Sequence, residues 1–305
     1  MPLRDRVAIV PLLAMLAAAP VAAGPSGFAF LEVPAGARAS ALGGAFAVSG
    51  EGVEASFWNP AGLAVVDGIQ ITGAHVEAFQ NFRHDQFAIA GPWLGGGVSV
   101  SVRAFYSEPI VARDDLGNEI GTFGGHDLGF GLAYGRSLAA GVRVGASARL
   151  IRERIAELST GTYGFGAGAT WQSPDRPALR LGVMVDNIGP DARYTFADGP
   201  GEPVPLPMAL QAGGAYHWSL AGATRVGASL ETRMTRGRPG VAMLGGELTH
   251  PTGAALRLGV RVNDDASRFS AGAGYALAAL RLDYAFVADR LDIGDSHRVS
   301  FTASF

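Results

Sequence analysis

The side chains able to do chemistry in this chain are guanidinium and carboxylate groups that recur at even spacings. "VRVGASARL" carries Arg143 and Arg149, and "ALRLGVRV" carries Arg257 and Arg261. "ALRLDYAFV" carries Arg281 and Asp283, "RVSFTASF" begins at Arg298, and Arg180 opens "RLGVMVDNI". Even spacing in an extended chain puts side chains on one face. Arg103, Asp127, Asp186, Arg225, Glu231, Arg233 and Glu247 follow the same parity within their segments. Two chemistries are open to such a face. The charges can pair with one another, or they can attract an anion such as a fatty-acid carboxylate. Arg281 and Asp283 are expected to face Arg298 across the last hairpin in a structural role. Every basic residue is arginine and none is lysine, so each cation can grip a carboxylate with a planar fork.

Other constellations carry less. The histidines at 75, 84, 126, 217, 250 and 297 form no HxxxH pair. "RDDLGNE" at 113–119 and "NDD" at 263–265 have the composition of calcium ligands but read as solvated loop tips. "DSH" sets Ser296 beside His297, and strand neighbours point to opposite faces, so they make a poor nucleophile–base pair. "GFGAG" lies within a strand pattern with no following helix, which excludes a phosphate loop. Cysteine is absent, so there is neither a disulfide nor a thiolate site. No catalytic residue, cofactor or metal site is expected, and the chain does not read as an enzyme.

The elements that hold these charges alternate with period two. In "RVSFTASF" Val299, Phe301, Ala303 and Phe305 oppose Arg298, Ser300, Thr302 and Ser304. About fourteen such segments follow residue 68, near 68–79, 82–92, 96–106, 124–136, 140–153, 161–172, 178–188, 206–217, 222–234, 240–249, 252–263, 267–277, 279–288 and 296–305. Most match the ~9–11 residues of a tilted membrane strand. One face is almost pure Val, Leu, Ala, Phe and Tyr, which would aggregate in water and which lipid requires. The other face holds the charges and many of the 44 glycines. Trp93, Tyr106, Tyr134, Trp171, Trp218 and Phe305 suit interface girdles. The longest connections, 107–123 and 189–205, follow the third and seventh segments, as the long outside loops of an outer-membrane barrel must. A net charge of −3 disfavours a nucleic-acid partner.

The first 23 residues read as a secretory signal peptide: "MPLRDR", the apolar "VAIVPLLAMLAAAP", then "VAA" before a cut after Ala23. The fold class is therefore all-β, a transmembrane antiparallel β-barrel of about 14 strands (68–305) in the cell outer membrane of a Gram-negative-type bacterium. Residues 24–67 have no place in the wall and are expected to form an N-terminal plug segment in the lumen. A short helix should run from about Gly36 to Leu42 and stop at Gly43 and Gly44. Glu32, Glu51 and Glu54 can then meet inward arginines. "SFWNPAGLA" supplies the plug turn, Trp58, Asn59, Pro60, Ala61 and Gly62: Pro60 fixes it, Asn59 bonds local backbone, and Trp58 wedges against the wall. The lumen charges singled out are Arg143, Arg149, Arg180, Arg257, Arg261, Arg281, Asp283 and Arg298.

"FLEVPAGARASALGGAFAVSGEGVEASFWNPAGLA" resembles the amino-terminal signature of the PorV/PorQ family of outer-membrane proteins, relatives of the FadL fatty-acid transporters. The resemblance continues in "LGVMVDNIGP", "PVPLPMALQAGGAYHW" and "LDYAFVADRLDIGDSHRVSFTASF". It implies a fourteen-stranded barrel with a plug and an Asn-Pro-Ala turn, here Asn59, Pro60 and Ala61. It also implies passive transport of hydrophobic, long-chain fatty-acid-like molecules, or alternatively an accessory or cargo-shuttle role in type IX protein secretion. The implied partners are outer-membrane lipid, a hydrophobic small molecule, secreted cargo proteins and the barrel-assembly machinery.

Overall fold

The computed structural model describes residues 26–77, 82–290 and 294–305, so the expected signal peptide lies outside the described residues. Among these, fourteen strands close into one antiparallel barrel. They are β1 (Gln70–Glu77), β2 (Phe82–Trp93), β3 (Gly96–Ser107), β4 (Gly125–Ser137), β5 (Val142–Ile155), β6 (Leu158–Gln172) and β7 (Leu179–Ile188). The second half is β8 (Ala209–Ser219), β9 (Arg225–Thr235), β10 (Val241–Thr249), β11 (Ala254–Val262), β12 (Ser267–Leu277), β13 (Leu280–Asp289) and β14 (Ser296–Ser304). Each pairs with its chain neighbours. The ring closes where β1 meets β14, with Gln70 opposite Ser304 and Glu77 opposite His297. Ladder pairing runs round the whole wall, as a span through hydrocarbon requires, with register shifts between β6 and β7 and between β12 and β13. No helix among the described residues is long and apolar enough to cross a membrane.

The period-two pattern sorts the side chains as expected. On β11, Leu256 and Leu258 point outward and are 61% and 58% exposed, while Arg257 between them is 3% exposed. The outward band of Phe87, Val100, Phe130, Leu150, Leu244 and Val299 continues round the barrel. Trp93 and Tyr134, both expected in an interface girdle, meet edge to face with centroids 5.9 Å apart. β6 begins at Leu158 rather than 161, because Leu158 already pairs with Ile155 across a tight turn that holds Ala156 at φ 52°.

We call the end where odd-numbered strands finish the upper end. The long connections after β3 and β7 both lie there. Each contains a small hairpin off the wall, Ile110–Arg113 with Glu119–Phe123, and Thr195–Phe196 with Gly199–Pro200.

Residues 26–67 run down the inside of this wall. At the upper end Gly27 N–H donates to the Pro205 carbonyl (3.1 Å), and Phe28, Phe30 and Leu31 pack on Ile151, Ala192 and Leu206. Helix α1 (Ala37–Ala41) follows, and Gly43 and Gly44 end it at φ 66° and 84°, close to the expected span and stop. Two 3₁₀ stretches, Gly52–Phe57 and Pro60–Val65, lead to β1 at the lower end. Inward glycines are the sockets for this backbone. A Cβ on Gly97, Gly135 or Gly145 would collide with the backbone of Leu63 or Pro60, and one on Gly259 with that of Gly43.

Candidate functional site

The turn at residues 58–62 is built from both sides. Asn59 is buried, and its Oδ1 accepts the Ala61 N–H (3.1 Å), which caps the 3₁₀ stretch that Pro60 begins. Its Nδ2 donates to the wall carbonyls of Ala169 and Val183, both at 3.3 Å. Trp58, expected to wedge against the wall, packs on a cluster that includes the wall residues Ala88, Ala90 and Ala133, and makes its hydrogen bond and ring contact within the segment. Its indole N–H donates to the Ala35 carbonyl (3.1 Å), and its ring meets Phe46 edge to face at 5.8 Å. The indole therefore staples two parts of the segment together. Strand parity stops at the wall, so the sequence pattern carried no direction for this side chain.

Below the middle of the barrel the segment is held by charge. Arg38 and Glu54 join four wall residues in a closed ring of six alternating charges. Arg38 meets Glu54 (3.7 Å) and Glu247 (2.8 Å). Arg257 meets Glu247 (2.6 Å) and Asp283 (2.8 Å). Arg281 meets Asp283 (2.8 Å) and Glu54, which completes the ring. On the other side of the segment Glu51 accepts from Arg143 (2.5 Å) and pairs with Arg180 (2.9 Å). Burial works to raise the Glu51 pKa, but Arg180 and Arg143 outweigh it and hold the carboxyl below the ordinary glutamate range. Glu231 is fully buried and uncharged partners surround it: it accepts the N–H groups of Ala47 and Val48 (3.1 Å each) and Gln211 Nε2 (2.6 Å).

All eight singled-out lumen charges point inward, but they do not form one site. Arg143, Arg180, Arg257, Arg281 and Asp283 belong to the lower networks. Arg149 meets Asp186 (3.4 Å) and donates to Asn187 Oδ1 (2.8 Å). Arg261 pairs with Asp264 (3.0 Å) near the upper end. Arg298 does not face Arg281 and Asp283: in the register it stands opposite Ala285, while Asp283 stands opposite Ser300 and Arg281 opposite Thr302. It reaches the segment instead, donating to the Pro34 carbonyl (3.1 Å) and Ser40 Oγ (2.9 Å). Glu32 meets Arg238 at 3.0 Å, in a turn rather than on a wall strand, and burial still pushes its carboxyl above the ordinary value.

Above the segment lies a cavity of about 980 Å³. Its apolar lining includes Phe28, Phe30, Val76, Phe82, Phe105 and Met184. Its polar lining includes Arg103, Arg233, Arg298, His84 and the cross-strand pair Asp127 and Glu153, and Tyr194 donates to Glu153. Arg103 and His84 were not singled out for a site. Parity on β2 and β3 already places them inward, but nothing in the sequence says which inward charges the segment leaves without a carboxylate.

Residues 14–149 match the model of a family described as Uncharacterised protein family (UPF0164). No curated protein matches the sequence. Among solved structures, the CymD monoaromatic hydrocarbon channel aligns with a TM-score of 0.60 at 15% identity, covering 88% of this chain and 97% of that one. The toluene transporter TodX of P. putida aligns at 0.59 and 12%, covering 88% and 98%. A FadL homologue from Pseudomonas aeruginosa aligns at 0.53 and 13%, again covering 88% and 98%. The chain has the fold of these channels. These likenesses show a FadL-like fold and do not confirm the PorV/PorQ resemblance.

Proposed function

We propose that the chain is an outer-membrane channel for passive transport of hydrophobic small molecules, with its upper end outside the cell and residues 24–67 acting as the plug. The observation that carries this reading is the aromatic-lined cavity at the upper end, whose floor is the segment latched to the wall by ion pairs. An apolar molecule reaching the outer surface finds an aromatic surface in the cavity, and its onward passage requires the segment to shift. The relatives of this fold named above are titled as hydrocarbon channels and a toluene transporter, which supports the substrate class. In this reading Trp58, Asn59, Pro60, Ala61 and Gly62 form the seat of the plug, and the lumen charges are its latches.

The test is uptake of labelled toluene and of labelled oleate by a deletion strain and by the same strain carrying the gene on a plasmid. Faster initial uptake of either compound in the complemented strain is expected. Equal rates for both compounds in the two strains would remove the transport reading.

A further inference from the structure

The lumen cations fall into two sets. Arg38, Arg143, Arg180, Arg257 and Arg281, low in the barrel, each meet a carboxylate, as described. Arg103, Arg233 and Arg298, which line the cavity, meet none among the described residues, and Arg233 is held by Gln211 Oε1 (3.1 Å). Arg103 is 4% exposed. Its terminal nitrogens donate to the carbonyls of Leu31 (3.4 Å) and Phe57 (2.8 Å), and its Nε has no hydrogen-bond partner. Arg298 is 8% exposed and, among the described residues, donates to the neutral oxygens of Pro34, Ser40 and Ser296. A buried cation held by neutral groups alone is costly and favours an incoming anion.

His84 stands between them. In the register Arg298 is opposite Val76, Val76 is opposite His84, and His84 is opposite Phe105, two residues from Arg103. His84 and Arg103 are diagonal neighbours, about 7–8 Å apart between backbones, and Arg298 lies two strands from His84, about 10 Å across the ladder and within reach of its long side chain. The tautomer of His84 follows from its neighbours. Gln86 Oε1 accepts the Gly36 N–H (2.9 Å), so the amide nitrogen faces His84 Nδ1 at 3.2 Å. Nδ1 is then the acceptor and Nε2 carries the proton. That N–H is fully buried at the cavity lining and has no partner among the described residues.

The walls over these donors are aromatic. Phe82 and Phe105 stack at 5.4 Å, His84 meets Phe105 edge to face at 6.1 Å, and the Arg103 guanidinium lies 5.1 Å from the centre of the Phe57 ring. Ring faces and edges of this kind select a flat aromatic body over a flexible chain. Glu32, Asp127, Glu153, Asp186 and Asp264 also line the cavity and repel an anion from the rest of its surface, which leaves the Arg103–His84–Arg298 side to receive it.

We propose that the cavity floor binds the carboxylate of an aromatic monocarboxylic acid, with His84 Nε2 and Arg103 Nε as donors, Arg298 supplying charge, and the ring held among Phe57, Phe82 and Phe105. This rests on the channel reading and narrows its substrate to arylalkanoates over neutral hydrocarbons and over alkanoates.

The experiment is calorimetric titration of the detergent-purified full-length protein with 3-phenylpropionate, 3-phenylpropanol and octanoate, with barrel folding checked by heat-modifiable gel mobility. Charge-assisted bonds to buried donors correspond to a preference of at least about tenfold for 3-phenylpropionate over the alcohol. His84→Phe and Arg103→Lys should each erase most of that preference while leaving the alcohol's affinity within about twofold. Arg103→Lys keeps the charge, so the result does not depend on a variant that leaves a hole in the charge pattern. Equal binding of acid and alcohol overturns the inference and leaves the channel reading standing. Octanoate binding as tightly as 3-phenylpropionate overturns the aromatic class. If none of the three binds, the cavity is not a ligand site and the channel reading falls with the inference.

Discussion

Glu54→Gln cuts the six-charge ring at the segment's own carboxylate. It leaves Arg38 and Arg281 to share the remaining two acids with Arg257. Removing one partner of a buried ion pair costs about 3–5 kcal/mol. Arg38 and Arg281 keep 20% and 26% of their side chains exposed, so water takes up part of the freed charge. A cost of about 2–3 kcal/mol to the seated segment is therefore expected, roughly a 30- to 150-fold rise in its opening equilibrium. The readout is hydrogen exchange at the Val53 amide in detergent. That amide is held by Gln70 Oε1 at 2.9 Å and sits beside the substitution. Its exchange should accelerate by the same factor, while ladder amides of β10 and β11 stay unchanged, since no wall pairing is touched. Adding Arg281→Gln restores a balanced ring and should return most of the protection, which makes the coupling measurable as a double-mutant cycle. Val53 exchange within threefold of wild type in Glu54→Gln would show that the ring does not hold the segment, and that the sockets and the turn alone do.

Asn59→Ala loses the cap on Ala61 and two bonds to the wall, about 1–3 kcal/mol of seating, and single-channel conductance in planar bilayers should rise while gel mobility of the folded barrel stays the same. Gly145→Val puts a side chain where the Pro60 backbone lies, so it should open the same leak with the turn sequence intact; wild-type conductance would contradict the socket. The depressed Glu51 carboxyl contributes stability that is fully present above the unfolded value near 4.3 and is lost as pH falls through the lower folded value, so proteolysis within residues 26–67 should be slow between about pH 8 and 5 and should accelerate only below about pH 4. Leu258→Arg places a charge in the middle of the outward face of β11, and equilibrium unfolding from lipid vesicles should show a loss of about 2–4 kcal/mol; no loss would mean that this face does not meet hydrocarbon.

The wall was legible because lipid outside and a polar lumen inside both enforce period two, residue by residue. Arg257 between Leu256 and Leu258 needs no knowledge of its partners to be placed inward. β2 was harder to read because its inward Ala88 and Ala90 pack on Val53, Ala55 and Phe57, so its inner face is apolar there as well as its outer one. The segment was legible in its punctuation, Gly43, Gly44, Asn59 and Pro60, and not in its directions. Partner choice was the least legible. Arg298 and Arg281 share a parity and differ in fate, since barrel stagger and the path of the segment decide which carboxylate each can reach. The off-wall hairpins escaped too: Ile110–Arg113 is four residues long and its pairing with Glu119–Phe123 shifts register, too little for a periodic signal.

The division of the lumen into two charge regimes suits the channel proposed above. Low in the barrel, glycine sockets admit the segment's backbone, and the acids of the segment and wall offset nearly every arginine there. Such contacts are directional, and each is individually weak where water reaches it. A segment held this way stays seated without being part of the core, and it can leave by exchanging ion pairs for water. A hydrophobic seat of the same area would fuse plug to wall. Near the top, Arg103 and Arg298 are spent on backbone carbonyls of residues 31, 34 and 57. These are weaker partners than a carboxylate, so an anion entering the cavity competes directly with the segment for the same donors. In the proposed binding, an anion above and release of the segment below are thereby tied to the same two side chains, Arg103 and Arg298.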